Sequence, residues 1–170
     1  MLKLNLNPFQ ETLGQSMCGP ASLKIVLEYY GLSKTEKELY DLCGTDPELG
    51  TTDQGIKKAA EQLGFTADII NYSSYQEIEG YLSQGIPVIV DWFTRGRSDY
   101  TDSDVCDGHY SVVSGLDEHS IYLQDPEIGG ERVINRDDFF TVWFDFTGKY
   151  IDPEELIIRQ IIVVKKEMRI

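Results

Sequence analysis

The sequence predicts an α+β domain in which helices come first and a mostly antiparallel sheet follows. Between residues 18 and 82, apolar side chains recur at helical spacing, flanked by residues that typically begin and end helices. From residue 87 onward, short β-branched and apolar runs are separated by turn residues, which is the usual pattern of strands. The chain has 170 residues and no linker-like stretch, so we expect residues 1–170 to form a single domain with one core.

The first predicted helix, Cys18–Tyr30, is apolar on nearly every side. Pro20 suits its opening turn, and Gly31 suits a left-handed residue that ends it. A helix that lacks a polar face is normally buried all round. We therefore expect this helix to lie at the centre of the domain.

Three more helices are indicated by residues that cap helix N-termini. The predicted caps are Ser33 with Glu36 for a helix that ends at Cys43, Thr52 for a third helix, and Ser74 with Glu77 for a fourth. The third and fourth helices carry their apolar residues on one face, so each should pack against the core along that face.

The strands are predicted from apolar runs bounded by turn residues. They are Pro87–Trp92, 109–114, 120–125, Arg132–Ile134 and Leu156–Val164, with a short helix capped by Asn135 before the last of them. Residues 1–8 also alternate like a strand. The segments 109–114 and 120–125 are close enough in sequence to form a hairpin.

Charge and cysteine content narrow the function classes. A formal net charge of −14 argues against nucleic-acid binding, which needs clustered Lys and Arg. Three cysteines, an odd number, argue against a disulfide framework and for a reducing compartment. The chain has no signal peptide and no apolar run of about 20 residues, so we expect a cytoplasmic protein without a membrane segment.

The predicted hairpin brings a histidine and an aspartate together. With a turn centred on Asp117, His109 lies directly opposite Asp125, and opposed side chains have Cβ atoms about 5 Å apart. A carboxylate in that position can hold one imidazole nitrogen and leave the other as a base. Because a slip of one residue would send the two side chains to opposite faces, the prediction depends on the register.

A candidate nucleophile, Cys18, stands at the start of the first helix. The unpaired N–H groups and the dipole of a helix N-terminus favour a thiolate there. Gly19 leaves room for a substrate backbone to come close, and Pro20 gives up no donor that is needed. Cysteine, then histidine, then a carboxylate is the chain order of papain-like thiol hydrolases, so Cys18, His109 and Asp125 are the candidate catalytic residues.

Acyl-transfer chemistry also needs hydrogen-bond donors for the oxyanion. The backbone N–H of Cys18 is one candidate. Gln10 and Gln15 both precede the cysteine and either could supply the second donor, since their spacing does not choose between them.

Other polar residues have simpler explanations. The aspartates of the segment 94–107 do not follow the pattern of a calcium-binding loop, so this segment is expected to be a solvated loop or a lid over the site. Zinc held by Cys18, Cys106 and His109 has no Cys-x-x-Cys pair to support it, and we predict no metal or other cofactor. Cys43 and His119 are interpreted as structural.

Several blocks of the sequence, taken in order, resemble the double-glycine-leader (bacteriocin-processing) cysteine peptidase family, which is papain-like. The first block is Cys-Gly-Pro-Ala-Ser-Leu at the start of the first helix. The other blocks are 50–65, 84–90, 108–110, 123–126 and the aromatic stretch Phe139–Trp143. The resemblance covers most of the chain, and no transporter segment accompanies it, so it implies a stand-alone relative of that family.

The resemblance implies a papain-like fold and a function. Cys18 would be the nucleophile, His109 the base and Asp125 the residue that orients the base. Gln10 looks like the family's oxyanion glutamine, although it lies farther from the cysteine than usual, and Gln15 remains the alternative. The chain would then be a cysteine peptidase acting on a peptide or protein through an acyl-enzyme. The alternatives are an acyltransferase with the same triad and a non-catalytic peptide-binding module.

Overall fold

A computed structural model describes residues 1–14, 17–94, 108–147 and 151–167 of the chain. Among the described residues, helices predominate in the first half of the chain and strands in the second half. In chain order the elements are β1 (Leu2–Lys3), α1 (Cys18–Tyr29), α2 (Glu36–Cys43), α3 (Asp53–Gln62), β2 (Phe65–Ile70), α4 (Tyr75–Ser83), β3 (Val88–Phe93), β4 (Gly108–Leu116), β5 (Ser120–Asp125), β6 (Gly130–Asn135), α5 (Arg136–Val142), β7 (Phe144–Phe146), β8 (Leu156–Ile158) and β9 (Ile161–Lys166).

The main sheet of the described residues has seven strands, and its pairs are antiparallel. The strand order is β2-β9-β3-β4-β5-β6, and β1 pairs with the end of β4. A separate hairpin is formed by β7 and β8. The predicted α+β class, with a mostly antiparallel sheet, is therefore confirmed.

The two faces of the sheet carry two separate apolar clusters, as the alternation of side chains along a strand requires. One cluster joins the sheet to α1, α2 and α3, and the other joins it to α4 and α5. In β9, for example, Ile162 and Val164 belong to the first cluster, whereas Ile161 and Val163 belong to the second. Helix α1 is buried along most of its length, as its apolar composition predicts.

Most of the predicted helix caps are confirmed, and one is wrong. Thr52 accepts a hydrogen bond from Gly55 N at the start of α3, and Ser74 forms a capping box at the start of α4. At α2 the capping box is Thr35 with Glu38, two residues later than the predicted Ser33 with Glu36. Both pairs fit the capping sequence, and the choice follows from tertiary contact, because the carboxylate of Glu36 accepts hydrogen bonds from the N–H and Oγ1 of Thr12.

The predicted closing strand is two strands in two different sheets. Arg159, between β8 and β9, has a left-handed backbone (φ 44°), which no glycine signals in the sequence. Its N–H donates to the carbonyl of Trp143, and its Nε donates to the carbonyl of Ser73. These contacts fix the change of direction between the two strands. As a result, β8 pairs with β7, whereas β9 lies between β2 and β3 in the main sheet.

The sequence reading misses two strands, β2 and β7. Strand β2 follows α3 directly and alternates buried and exposed residues over its first four positions. Strand β7 is three residues long, too short to give a periodic signal. In the described part of the chain, none of the helices combines the length and apolar character that a membrane crossing requires.

Candidate active site

Cys18 is the first residue of α1 and is 9% exposed. Met17, at the N-cap, makes no side-chain hydrogen bond to the helix, and the first turn contains no acidic residue. The partial positive charge of the helix N-terminus is therefore not offset by a capping group at residue 17 or by an acid in the first turn. This is an environment that favours a thiolate at Cys18.

Gly19 has a different role from the one predicted. The space beside its α-carbon is filled by the side chain of Thr51, and a Cβ at residue 19 would lie 2.6 Å from Thr51 Cβ. Thr51 Oγ1 lies 2.7 Å from Thr45 Oγ1, within hydrogen-bonding distance, and Thr51 directly precedes the cap of α3. The glycine therefore lets α1 pack closely against the segment before α3, and this space is not available to a substrate backbone.

His109 and Asp125 are joined by a hydrogen bond of 2.6 Å between Nε2 and Oδ1. Both side chains are buried, at 2% and 1% exposure. Since a carboxylate can only accept, Nε2 carries the proton and Nδ1 is the nitrogen that can act as a base. The structure thus brings this predicted pair together.

The register of the hairpin differs from the predicted one. Val113 pairs with Leu123, and Leu116 pairs with Ile121, with a β-bulge between Val113 and Gly115. The turn lies later in the chain than predicted, which displaces the pairing by three residues, and the bulge takes back one, so the net displacement beyond the bulge is two residues. An even displacement keeps His109 and Asp125 on the same face, as diagonal rather than opposed neighbours.

The side chain of Asp125 accepts hydrogen bonds from three partners. Its Oδ1 accepts from His109 and from the N–H of Glu127, and its Oδ2 accepts from Arg132 Nε at 2.9 Å. Burial opposes ionisation of this carboxyl, but His109 and Arg132 outweigh it and lower the pKa of Asp125 to about 2. Asp125 is therefore an anion at neutral pH. The sequence alone does not indicate Arg132, because its contact with Asp125 depends on how β5 and β6 are paired.

The other side of His109 is covered by Trp92. These two residues are paired in the β3–β4 ladder, and their rings meet edge to face with centroids 5.8 Å apart. Trp92 is itself held by a hydrogen bond from its Nε1 to Ser111 Oγ. The imidazole is thus fixed between an aromatic ring and a carboxylate.

Cys18 and His109 are far apart in the sequence, but the elements that carry them are adjacent. Helix α1 packs against β4, and Cys18 lies in the same apolar cluster as Tyr110, the residue that follows His109. The pKa of Tyr110 is raised well above its usual value, chiefly by burial and also by nearby charged groups that include Cys18. The start of α1 therefore lies close to the start of β4.

Gln10 packs against the turn between β5 and β6, which directly follows Asp125. Its side chain is exposed, its Nε2 donates to the carbonyl of Glu127 at 3.2 Å, and its Cβ packs on Gly129. Gln15, the alternative oxyanion donor, lies outside the described residues, as do Cys106 and residues 95–107 of the predicted loop. Thr94, where that loop begins, is buried.

Two further carboxyl groups near His109 are not singled out by the sequence. Glu11 N donates to the carbonyl of Pro126, which places this residue beside the end of β5. Burial raises the pKa of Glu11 to about 7, against the effect of His109 and with the help of the neighbouring acids Glu127 and Asp125. Burial also raises the pKa of Glu127.

The same region contains one group of possible metal ligands. The nearest ligand atoms of His109, Asp125 and Glu127 lie within 4.8 Å of one another. However, both oxygens of Asp125 already accept hydrogen bonds, from His109 and from the cationic Arg132. The geometry therefore favours a hydrogen-bonded group of His109, Asp125 and Arg132 over a metal site.

Cys43 ends α2 and His119 follows β4, so neither lies at the start of α1 or of β4. Cys43 is buried at the end of α2, and burial raises the pKa of its thiol to about 12. His119 lies in the β4–β5 turn, where its N–H donates to Asp117 Oδ1.

Comparison with known proteins places this architecture in a family. The sequence profile of the Peptidase C39 family matches residues 8–150. An uncharacterized protein of Methanothermobacter marburgensis is 37% identical over 137 residues, which are 81% of each chain. The lactococcin-A transport/processing ATP-binding protein LcnC of Lactococcus lactis is 28% identical over 127 residues, and this match spans 74% of the present chain and 16% of that protein.

Solved structures share the fold. The peptidase domain of Streptococcus ComA, a bifunctional ABC transporter of a quorum-sensing pathway, superposes with a TM-score of 0.69 at 23% identity, covering 95% of this chain and 99% of that one. A double-glycine-motif protease from an AMS/PCAT transporter, solved in complex with its leader peptide, gives a TM-score of 0.70 at 19% identity, covering 97% and 94%. The solved structures share the fold, and the family profile, which spans most of the chain, shows that the chain belongs to the Peptidase C39 family.

Proposed function

We propose that this protein is a cysteine peptidase in which Cys18, His109 and Asp125 form the catalytic triad. The observation that carries the proposal is the buried 2.6 Å hydrogen bond between His109 and Asp125, on a strand that packs against the helix beginning with Cys18. Membership of the Peptidase C39 family supports it.

In this proposal each of the three side chains has a role. His109 Nδ1 takes the proton of Cys18 Sγ, and the sulfur attacks the carbonyl carbon of the scissile peptide bond. The imidazolium then gives its proton to the leaving amine as the C–N bond breaks, which leaves a thioester on Cys18. A water molecule, deprotonated by His109, attacks the thioester and restores the thiol. Asp125 holds the imidazole in the required tautomer throughout.

The oxyanion that forms in these steps needs donors. The backbone N–H of Cys18, at the start of α1, is the first. Gln10 remains our choice for the second, and it would have to release the Glu127 carbonyl to reach the site. Gln15 is the alternative.

The substrate class we propose is a peptide with a leader segment. The support is a related protease of the same fold that was solved in complex with a leader peptide. We further propose that residues 1–170 form one domain, since β1 and β9, from the two ends of the chain, lie in one sheet. Cys18 and Cys43 are not in disulfides, which suits a reducing compartment such as the cytoplasm.

The test is hydrolysis of a peptide library that includes double-glycine leader sequences, followed by mass spectrometry. Wild-type protein is expected to cleave a subset of peptides, and Cys18→Ala to cleave none. Asp125→Asn should lower kcat/KM by about 10³-fold, because the amide no longer selects the right tautomer. Cys43→Ala is the matched control and should retain activity. Cleavage that survives Cys18→Ala would refute the proposal.

A further inference from the structure

The segment Phe9–Thr12, which leads towards the candidate nucleophile, is held by three different parts of the fold. The ammonium of Lys24, in α1, lies over the ring of Phe9, with 5.1 Å between Nζ and the ring centroid. Glu11 N donates at 2.8 Å to the carbonyl of Pro126, which directly follows β5. The end of the segment is bound by α2. These contacts tie the segment to the first helix, to the end of β5 and to the second helix.

The contact with α2 is made by a buried carboxylate. Glu36, the first residue of this helix, is 6% exposed. Its Oε2 accepts from the hydroxyl of Thr12 at 2.7 Å, and its two oxygens accept from Thr12 N at 3.1 and 3.2 Å. The N–H of Leu13 also donates to Oε1, at 3.5 Å. Because a buried carboxylate is costly unless donors satisfy it, this contact fixes the backbone at residues 12 and 13.

This anchor lies between the two candidate oxyanion donors in the sequence. Gln10 precedes Thr12 by two residues, and Gln15 follows it by three. The anchoring helix is itself packed against α1, because Leu39 of α2 belongs to the same apolar cluster as Cys18. The carboxylate therefore fixes the chain between the two glutamines relative to the helix that carries the nucleophile.

We infer that Glu36 is a positioning residue of the candidate active site: by holding Thr12, it places the oxyanion glutamine relative to the thiol of Cys18. The inference rests on the proposed function, because acyl transfer through Cys18 is what produces an oxyanion to stabilise. An oxyanion donor acts only where its position is set in advance, and a displacement of about 1 Å can cost about 10²-fold in rate. The competing explanation is structural: Glu36 only attaches the N-terminal segment to α2.

The first test compares two reactions of the same thiol. Alkylation of Cys18 by iodoacetamide is a displacement at a saturated carbon and forms no oxyanion, whereas peptide hydrolysis does. Glu36→Gln removes the charge and replaces one acceptor oxygen by an NH2 group, which cannot accept. It should lower kcat at least about tenfold, while KM and the alkylation rate each change by less than about twofold. Glu79→Gln, at an exposed position of α4, is the matched control and should change neither reaction.

Substitutions of the partner hydroxyl separate positioning from folding. Thr12→Val removes the donor and should lower kcat in the same direction, whereas Thr12→Ser keeps the hydroxyl and should recover most of that loss. Thermal unfolding shows which variants are folded at the assay temperature, and Thr12→Val replaces Glu36→Gln in every comparison if the latter does not fold. A purely structural anchor would lower only the midpoint temperature of unfolding. Equal losses of hydrolysis and alkylation, or no loss of either in the folded variant, would overturn the inference.

A second test does not depend on turnover. The aldehyde acetyl-glycyl-glycinal adds to a thiol to give a tetrahedral hemithioacetal, whose oxygen stands where the oxyanion forms. Wild-type protein should bind it at least about tenfold more tightly than Glu36→Gln, and the corresponding alcohol should not distinguish the two proteins. If wild-type protein cleaves no peptide of the library, the proposed function fails and the aldehyde decides the inference alone. Weaker binding by Glu36→Gln then supports it, and equal binding, or no binding by either protein, overturns it.

Discussion

At the scale of single residues, the arrangement around His109 explains why a histidine in a strand can act as a base. Trp92 packs against one side of its ring and Asp125 binds its Nε2, so the imidazole cannot rotate to another partner without breaking a buried hydrogen bond. Such a fixed ring requires no reorganisation when the proton moves, which is the usual benefit of a preorganised site.

Arg132 is predicted to act through Asp125. The native pKa of Asp125, about 2, lies below its unfolded value, so this carboxylate stabilises the fold above about pH 4, by about 2 kcal/mol, and the contribution is lost as the pH falls towards 2. Arg132→Gln should raise that pKa, remove about 1 kcal/mol at neutral pH and lower kcat/KM about tenfold. Urea unfolding between pH 2 and 7 measures the first effect.

The control for Arg132 is Lys165→Gln, which removes a surface ion pair with Asp68. Exposed pairs of this kind contribute about 0–1 kcal/mol, so stability and activity should change little. If both substitutions changed the free energy of unfolding equally at low pH, Arg132 would not be lowering the pKa of Asp125.

Glu11 is predicted to weaken the fold as the pH rises. Its native pKa, about 7, lies above its unfolded value near 4.5, so its favourable contribution is complete below pH 4.5 and is lost as the pH rises through 7. Glu11→Gln should therefore be more stable than wild type at pH 8, by about 1–2 kcal/mol after allowance for partial exposure, and nearly equal at pH 4.5. Urea unfolding at the two pH values measures this.

The exposed residue Glu79 provides the comparison for Glu11. Glu79→Gln should leave unchanged the difference in the free energy of unfolding between the two pH values. A Glu11→Gln protein whose stability parallels wild type at both pH values would show that the carboxyl ionises without cost.

At the scale of elements, the contact between α1 and the segment before α3 positions the nucleophile. Gly19→Ala places a methyl group against Thr51, which should cost about 1–3 kcal/mol of stability and displace the start of α1. The midpoint temperature of thermal unfolding should fall, and Cys18 should be alkylated more slowly.

A compensating substitution tests that explanation. Thr51→Gly removes the opposing side chain, so the double variant should recover the alkylation rate that Gly19→Ala loses. Gly80→Ala, in α4, is the matched control because nothing lies within 4 Å of the added methyl group. A Gly19→Ala protein as stable and as reactive as wild type would mean that the close approach is not required.

The strand elements show where sequence reasoning reaches its limit. His109 and Asp125 meet although the predicted register is wrong, because a later turn and a β-bulge together displace the strands by an even number of residues. Gly115 stands at the bulge and is a weak signal for it, but no glycine or proline marks the position of the turn. The capping boxes at Ser33 and Thr35 are equally good sequences, and only the contact of Glu36 with Thr12 distinguishes them.

At the scale of the whole molecule, the sheet separates two apolar clusters, and the candidate site lies where β4 begins and β5 ends. The helical spacing in α1 and the apolar runs of β3, β4 and β5 are sufficient to predict the α+β class, with helices first and strands later. They do not predict that β9 lies between β2 and β3, because that pairing joins distant parts of the chain. The carboxyl of Glu11 could not be assigned for the same reason, because its charged neighbours come from other elements.

The most direct test of the central claim, a Cys18–His109 pair oriented by Asp125, is the pH dependence of alkylation by iodoacetamide in wild-type protein and in His109→Ala. Cys43 is an internal reference, since burial raises its pKa to about 12. We predict that Cys18 is labelled at least about tenfold faster than Cys43 at neutral pH, and that His109→Ala removes this advantage. Equal labelling of the two thiols, or fast labelling of Cys18 that persists in His109→Ala, would contradict the account.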